Sequence, residues 1–298
     1  MVARIKNVKW VIFGGDSQLA KAMSLCLKQS KINFVLLNRK QADITNQKNI
    51  EDWLTKVSPE IVLNTAAWTD VDLAEIEEKK AFKVNAFGPR VLAEVCSRSR
   101  LKLVHISTNY VFSGKVKIPY TEIAKTDPIN AYGRTKEAGE KFILDFYPSG
   151  SYIVRTAWLY SPWGKNFVKS ILEKAENNSE VTVVNDQIGQ PTSATDLAIQ
   201  IMRMVYGSAK PGIYHATNTG QVTWFEFAQV VFKLSGHNLN RIKKINSLSL
   251  PQAATRPAYS VLSQNNWINQ GLYPMRSWQS ALEDALPLII KNMQLEKL

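Results

Sequence analysis

A short apolar run that stops on two glycines and passes at once into a helical pattern limits this chain more than any other feature. Trp10-Val-Ile-Phe13 ends in Gly14-Gly15, and Leu19, Ala22, Met23, Cys26 and Leu27 then recur at helical spacing. That is a strand, a tight turn and a helix. Further short apolar runs follow at Phe34–Leu37, Ile61–Asn64, Lys102–Ser107 and Tyr152–Arg155, each separated from the last by a helix-length segment. Repeated βα units imply parallel strands with helices on both faces, because each crossover is right-handed and needs a helix to return. The expected fold is α/β, a Rossmann-type doubly wound parallel sheet occupying residues 1–158.

After Trp158 the rhythm changes. Tyr160-Ser-Pro-Trp-Gly164 is turn-rich, a helix is expected over Asn166–Glu176 and a strand over Glu180–Val184, with helices again at Thr195–Tyr206 and Thr223–Ser235. Residues 159–298 are therefore read mostly as a second, smaller domain that caps the open edge of the sheet, with a segment near 185–215 that returns to the first. A chain of 298 residues with 45% hydrophobic and 21% charged content supports a sizeable core. No apolar stretch approaches the roughly 20 residues of a membrane span. The opening Met1–Trp10 lacks the apolar region of a signal peptide, so a cytoplasmic location is expected. The two cysteines, Cys26 and Cys96, sit in helix-like apolar patterns, and no metal-ligand spacing is present. The net charge of +12 invites a nucleic-acid reading, but the cations are scattered and no zinc-finger, KH or RNP signature accompanies them. A solvated face is the plain reading of that charge, and steering of anionic cofactors and substrates is a weaker functional one.

The turn Gly14-Gly15-Asp16-Ser17-Gln18-Leu19-Ala20 lies where dinucleotide pyrophosphates meet the N–H groups of a helix start. In a G-x-x-G-x-x-G frame Gly14, Ser17 and Ala20 take the glycine positions, and all three are small. After the second strand, Asn38-Arg39-Lys40 carries no acid to hold the ribose hydroxyls of NADH, while its cations suit a 2′-phosphate. NADPH is the expected cofactor, with NADH compatible.

Tyr132 and Lys136 stand four residues apart at the start of a helical stretch and so share a face. A nearby ammonium favours the ionised phenol and is expected to move its pKa down toward the working range. The preceding strand ends in Ser107-Thr108, at the carboxyl end where open α/β sheets bind ligands. A hydroxyl, a phenol and an amine there would bind and protonate a carbonyl oxygen while a nicotinamide delivers hydride to its carbon.

Several segments together resemble the dTDP-4-dehydrorhamnose reductases of the extended short-chain dehydrogenase/reductase group, over nearly the whole length. They include Asn64-Thr-Ala-Ala-Trp-Thr-Asp-Val-Asp72, Val84-Asn85-Ala86, His105-Ile-Ser-Thr-Asn-Tyr-Val-Phe112, Asn130-Ala-Tyr-Gly-Arg-Thr-Lys136, Arg155-Thr-Ala-Trp158, Asp186-Gln-Ile-Gly-Gln-Pro-Thr192 and Arg256-Pro257. The resemblance implies reduction of dTDP-4-dehydro-6-deoxy-L-mannose to dTDP-L-rhamnose. Tyr132 would be the acid, Lys136 its partner and Thr108 the hydroxyl that orients the keto oxygen. Gly14, Asp16, Ser17, Gln18, Leu19, Asn38, Arg39, Asp43, Ile44, Ala66, Ala67, Trp68 and Asn85 would join Tyr132 and Lys136 around the cofactor. The dTDP-sugar would meet Thr69, Thr108, Asn109, Tyr110, Trp158, Asn166 and Arg256, and the smaller domain would be substrate-binding. A homodimer is compatible with the resemblance, and no membrane or nucleic-acid partner is implied. The chain departs from the family pattern at Asn109, where aspartate is usual, at Trp68, where tyrosine or histidine is usual, and at Ser17 and Ala20, where glycine is usual. A 4-ketoreductase for another dTDP-deoxysugar and a non-catalytic, reductase-like regulatory subunit are the competing readings.

Overall fold

The computed structural model describes residues 8–177, 180–207 and 209–297. The opening heptapeptide, and with it most of the segment read above for a leader, lies outside the described residues. Five parallel strands, β1 (Trp10–Phe13), β2 (Phe34–Leu37), β3 (Ile61–Asn64), β4 (Lys102–Thr108) and β5 (Ser151–Thr156), are joined at one edge by the strand Gly212–His215. The order is Gly212–His215, β5, β4, β3, β1, β2, with every pairing parallel.

Successive side chains of β1 point to opposite faces and feed two separate cores. Trp10 and Ile12 pack with Leu63, Val104 and Val154 against α1 (Gln18–Gln29) and the helix Ala194–Tyr206. Val11 and Phe13 pack with Val62, Leu103 and Ile153 against α2 (Gln47–Val57) and the helix Gly88–Ser99. All four residues of β1 are fully buried, which is why it reads as a continuous apolar run. Because α1 leaves β1 toward one face and the chain after β3 goes to the other, the loops beyond β1 and β3 part at the carboxyl ends of the strands. That is the topological switch point of an open α/β sheet.

A third core holds the helices Phe167–Glu176, Trp224–Leu234 and Trp278–Glu296 over the two-stranded parallel pair Val181–Val184 and Ile242–Ile245. The expectation that this part caps an open edge of the sheet is corrected. The edge beyond β5 is covered by Gly212–His215 and the short helix Asn265–Asn269, and the third core instead faces the carboxyl ends of β4 and β5. The reason is local: after Thr156 the backbone turns through Trp158, whose φ of 43° is left-handed and throws the chain across the strand ends. The sheet layer also recruits late residues, since Trp267 and Met275 lie in the same core as Trp10.

Beneath β4 and β5 runs a buried polar network. Arg155 and Glu140 form a bidentate ion pair with both side chains 3% exposed, Ser107 donates to the same carboxylate, and the Arg155 guanidinium stacks over Phe112. His215 donates from Nδ1 to the Ser263 carbonyl at 3.1 Å, which leaves Nε2 to accept from Arg155 at 3.3 Å. Removing one member of such a pair strands the other charge. Arg155→Met is expected to lower unfolding stability by about 3–5 kcal/mol in urea titrations; a loss below about 1 kcal/mol would mean that the pair does not hold the strand ends.

Candidate active site

The first wall of the site is the turn after β1. Gly14 has φ of 79°, and a Cβ there would lie 2.5 Å from the Ala66 nitrogen, so only glycine lets the loop after β3 come this close. Ser17 caps α1 by accepting from the Ala20 N–H, and its hydroxyl donates to Thr65, which in turn donates to the Phe13 carbonyl. The serine in a glycine position therefore ties β1, α1 and the β3 loop together. The first N–H groups of α1 have no partner inside the helix and face the cleft.

The opposite wall is the loop Ala66-Ala67-Trp68, held from behind by Asn85, which sits in a π-helical turn, Lys83–Phe87. Its amide accepts from the Trp68 N–H at 2.8 Å and donates to the Trp68 carbonyl at 3.0 Å and to Thr135. Asn85 is thus completely buried behind the Ala66-Ala67-Trp68 loop and does not face the cleft; its expected place at the cofactor is corrected to that of a clamp on the loop.

The third component is the helix Ala131–Phe146. Asn130 caps it by accepting from the Gly133 N–H at 2.8 Å and is itself anchored to the Thr255 carbonyl. A Cβ on Gly133 would meet the Tyr110 carbonyl at 2.1 Å, so the Tyr-Gly pair seats the helix start directly on the segment after β4. This brings Tyr132, Lys136 and Thr108 to one cavity of about 560 Å³, along with Thr69, Asn109, Tyr110, Trp158 and, from the third core, Trp224. Asp16, Ser17, Thr65 and Ala67 also line an adjoining cavity of about 240 Å³, which reaches Asn38, Arg39, Asp43, Ile44 and Trp68. The result is one continuous cleft along the strand ends.

Comparison with known proteins now decides the family. A family model described as the RmlD substrate binding domain matches residues 8–290. The dTDP-4-dehydrorhamnose reductase of Streptomyces griseus is 40% identical over 285 residues, covering 94% of either chain. The chain belongs to the dTDP-4-dehydrorhamnose reductase family. The crystal structure of the Bacillus anthracis dTDP-4-dehydrorhamnose reductase in complex with NADP matches with a TM-score of 0.91 at 36% identity, over 94% of this chain and 99% of that one. A Streptomyces niveus relative named dTDP-4-keto-6-deoxy-D-glucose reductase is 40% identical over 281 residues, 94% of this chain and 97% of its own.

Within this reductase cleft most of the residues expected from the sequence come together, including Gln18 and Leu19. Two do not. Asn166 caps the helix Phe167–Glu176 and spends its amide on Gln18 and the Ser161 carbonyl, so it joins the third core to α1 without lining the cleft. Arg256 points to Asp72, whose carboxylate it holds down to about 2, and sits beside Tyr110 behind the cavity wall. Trp224, Lys165 and Thr156 were not foreseen. The Thr223 and Glu226 capping box marks where the Trp224 helix begins, but nothing local to it shows that its indole stacks on Trp158 with centroids 3.5 Å apart.

The electrostatics also differ from expectation. Burial pushes the Tyr132 phenol up to about 12, and the adjacent Thr108 hydroxyl offsets this only partly. The expected lowering by Lys136 is absent, because the Lys136 amine is turned to the Ile106 carbonyl at 2.6 Å and to His105 at 3.3 Å. Tyr132 is therefore a fully protonated donor at neutral pH. Burial pulls Lys136 from 10.5 down to about 8, with Glu140 opposing. Between those two values the unfolded chain holds more protons than the folded one, so stability rises with pH through that window. Lys136→Met has nothing to titrate there. In urea titrations the wild type should gain about 2–3 kcal/mol on Lys136→Met between pH 8 and pH 10; parallel pH responses would contradict a buried, titrating lysine.

Proposed function

We propose that this protein uses NADPH to reduce the C4 keto group of dTDP-4-dehydro-6-deoxy-L-mannose, giving dTDP-L-rhamnose. The observation that carries the reading is the convergence of Thr108, Tyr132 and Lys136 with the N-terminus of α1 in one cavity of a cleft that continues to Arg39. The fit to a dinucleotide rests on Gly14, whose missing Cβ lets the turn approach Ala66, on the start of α1 at Gln18 and Leu19 for a pyrophosphate, and on Arg39 for a 2′-phosphate. When bound, NADPH supplies the hydride to the keto carbon.

The residues of the chain do the rest. Thr108 places its hydroxyl beside the phenol at the end of β4, where a keto oxygen accepts from Tyr132 and, as the hydroxyl turns from Asn109, from Thr108. Tyr132, held protonated by burial, gives its proton to that oxygen as the carbonyl becomes an alcohol. Lys136 lines the same cavity, and its charged form stabilises the tyrosinate that remains once the amine turns from the Ile106 carbonyl toward the phenol. Trp158, backed by Trp224, forms the flat apolar wall against which a 6-deoxy sugar ring packs. The remote charge pairs hold these elements in place without entering the reaction.

One observation favours a second reading, reduction of a different dTDP-4-keto-6-deoxy sugar. Asn109 is not a distant wall residue: its Oδ1 accepts from the Thr108 hydroxyl at 3.2 Å, and its Nδ2 reaches the Ser260 carbonyl at 3.5 Å. The neutral amide thus acts on the very hydroxyl that orients the keto oxygen, and the relative from Streptomyces niveus carries the name of another 4-keto sugar reductase.

Tyr132→Phe is expected to lower turnover by about 10²- to 10⁴-fold while NADPH affinity, followed by fluorescence, stays within a few-fold. Unchanged turnover would remove Tyr132 from its role, and NMR of the wild-type product separates dTDP-L-rhamnose from a stereoisomer. Arg39→Ala should weaken NADPH by roughly 10- to 100-fold and leave NADH nearly untouched. Equal weakening of the two cofactors would place the 2′-phosphate elsewhere.

A further inference from the structure

Two buried histidines in this molecule each face a basic side chain, and they do so in opposite tautomers. His215 is the ordinary case: Nδ1–H donates to the Ser263 carbonyl, so Nε2 accepts from the Arg155 guanidinium. His105 is the reverse. The Ala66 N–H donates to Asn64 Oδ1 at 3.0 Å, and a backbone N–H has no other role, so the atom that Asn64 turns toward His105 is its NH₂ group. That group lies 3.0 Å from His105 Nδ1, which must therefore accept. Burial holds the imidazole neutral, so its one proton is on Nε2, and Nε2 lies 3.3 Å from the Lys136 amine. An ammonium facing an N–H is two donors nose to nose, whereas an uncharged amine accepts from Nε2–H and donates to the Ile106 carbonyl at 2.6 Å.

We infer that His105 is a positioning residue that favours the uncharged form of Lys136, and that in alkaline solution, where the free protein holds that amine uncharged, NADPH binding is accompanied by uptake of one proton onto Lys136. The other ionisable groups facing Lys136 do not supply that proton. Glu140, on the same helix, is engaged by Arg155 and Ser107, and Tyr132 stays protonated. Asp16, Tyr110 and Lys165 line the same cavity as Lys136 and complete the set. The phosphates of NADPH bring the negative charge that favours the ammonium, and the chain from Ala66 through Asn64 and His105 to Lys136 starts on the loop that borders the cofactor cavity. Lys136 then carries its charge before Tyr132 gives up a proton, so the tyrosinate forms beside a cation.

The inference rests on the reading of the cleft as an NADPH site, and calorimetry of NADPH binding separates the two. Titrations near pH 9 in two buffers of different ionisation enthalpy should show about one proton taken up per NADPH, and affinity should weaken about tenfold per pH unit above about pH 8. Asn64→Asp lets the carboxylate accept both from Ala66 and from a His105 Nδ1–H. Nε2 then becomes an acceptor for the ammonium, the uptake at pH 9 falls, and the break in affinity moves up by about one pH unit or more. His105→Gln, whose amide oxygen can turn to the amine, should move the break in the same direction; a merely structural loss would weaken binding equally at every pH. NADPH binding without proton uptake, or an unmoved break in both variants, overturns the inference alone. Failure of NADPH to bind at any pH overturns both it and the cofactor assignment.

Discussion

The parting of the chain beyond β1 and β3 is the constraint on which the rest of the molecule depends. One strand sends its helix to one face of the sheet and the other sends its chain to the opposite face, so a gap at their carboxyl ends is unavoidable. Everything at the site either narrows that gap or fills its rim. Gly14 lets the two loops approach to backbone contact, Ser17 and Thr65 tie them by hydroxyls, and Asn85 clamps the Trp68 backbone from behind. The departure of Ser17 from glycine thus brings a hydrogen bond that glycine has no atoms to make.

The chemistry occupies the rim because β4 and β5 deliver hydroxyls there and the helix Ala131–Phe146 starts against them. Its start is over-determined: the Asn130 cap, the missing Cβ of Gly133 and the Glu75 carboxylate on the Ala131 N–H all bear on a single turn. A proton donor needs such placement, since its contribution falls off steeply with misalignment. The same burial that immobilises Tyr132 and Lys136 also disfavours their charged forms.

The third core shapes the far side of the cleft through two stacked indoles. Trp158 belongs to the turn that leaves β5 and Trp224 to a helix more than sixty residues later, and their contact joins the sheet to the third core. Trp158 holds a left-handed backbone angle that a bulky residue adopts only at a cost. The stack and the absence of a side chain on Gly189, where a Cβ would lie 2.5 Å from the indole, offset that cost. This wall of the cleft is thus made where two packing units meet.

The sequence by itself determined the elements whose signals are local. Strands buried on both faces are runs of apolar residues, helices carry their caps in the next residue or two, and the Tyr132 and Lys136 spacing is a helical turn, so the sheet, its helices and the meeting of Thr108, Tyr132 and Lys136 were legible, as was most of the cleft lining from turn position and family motifs. Tertiary structure alone decided which way side chains turn once several partners compete for them. Asn85, Asn166 and Arg256 stand in motifs that suggest ligand contact, yet each is engaged by a protein group from elsewhere in the chain. Lys136 likewise turns from Tyr132 to the Ile106 carbonyl and His105, because a buried amine goes where an acceptor awaits it, and the tautomer of His105 is set by a backbone N–H on a neighbouring strand loop. Such choices depend on which groups meet in space, and spacing along the chain carries no record of them.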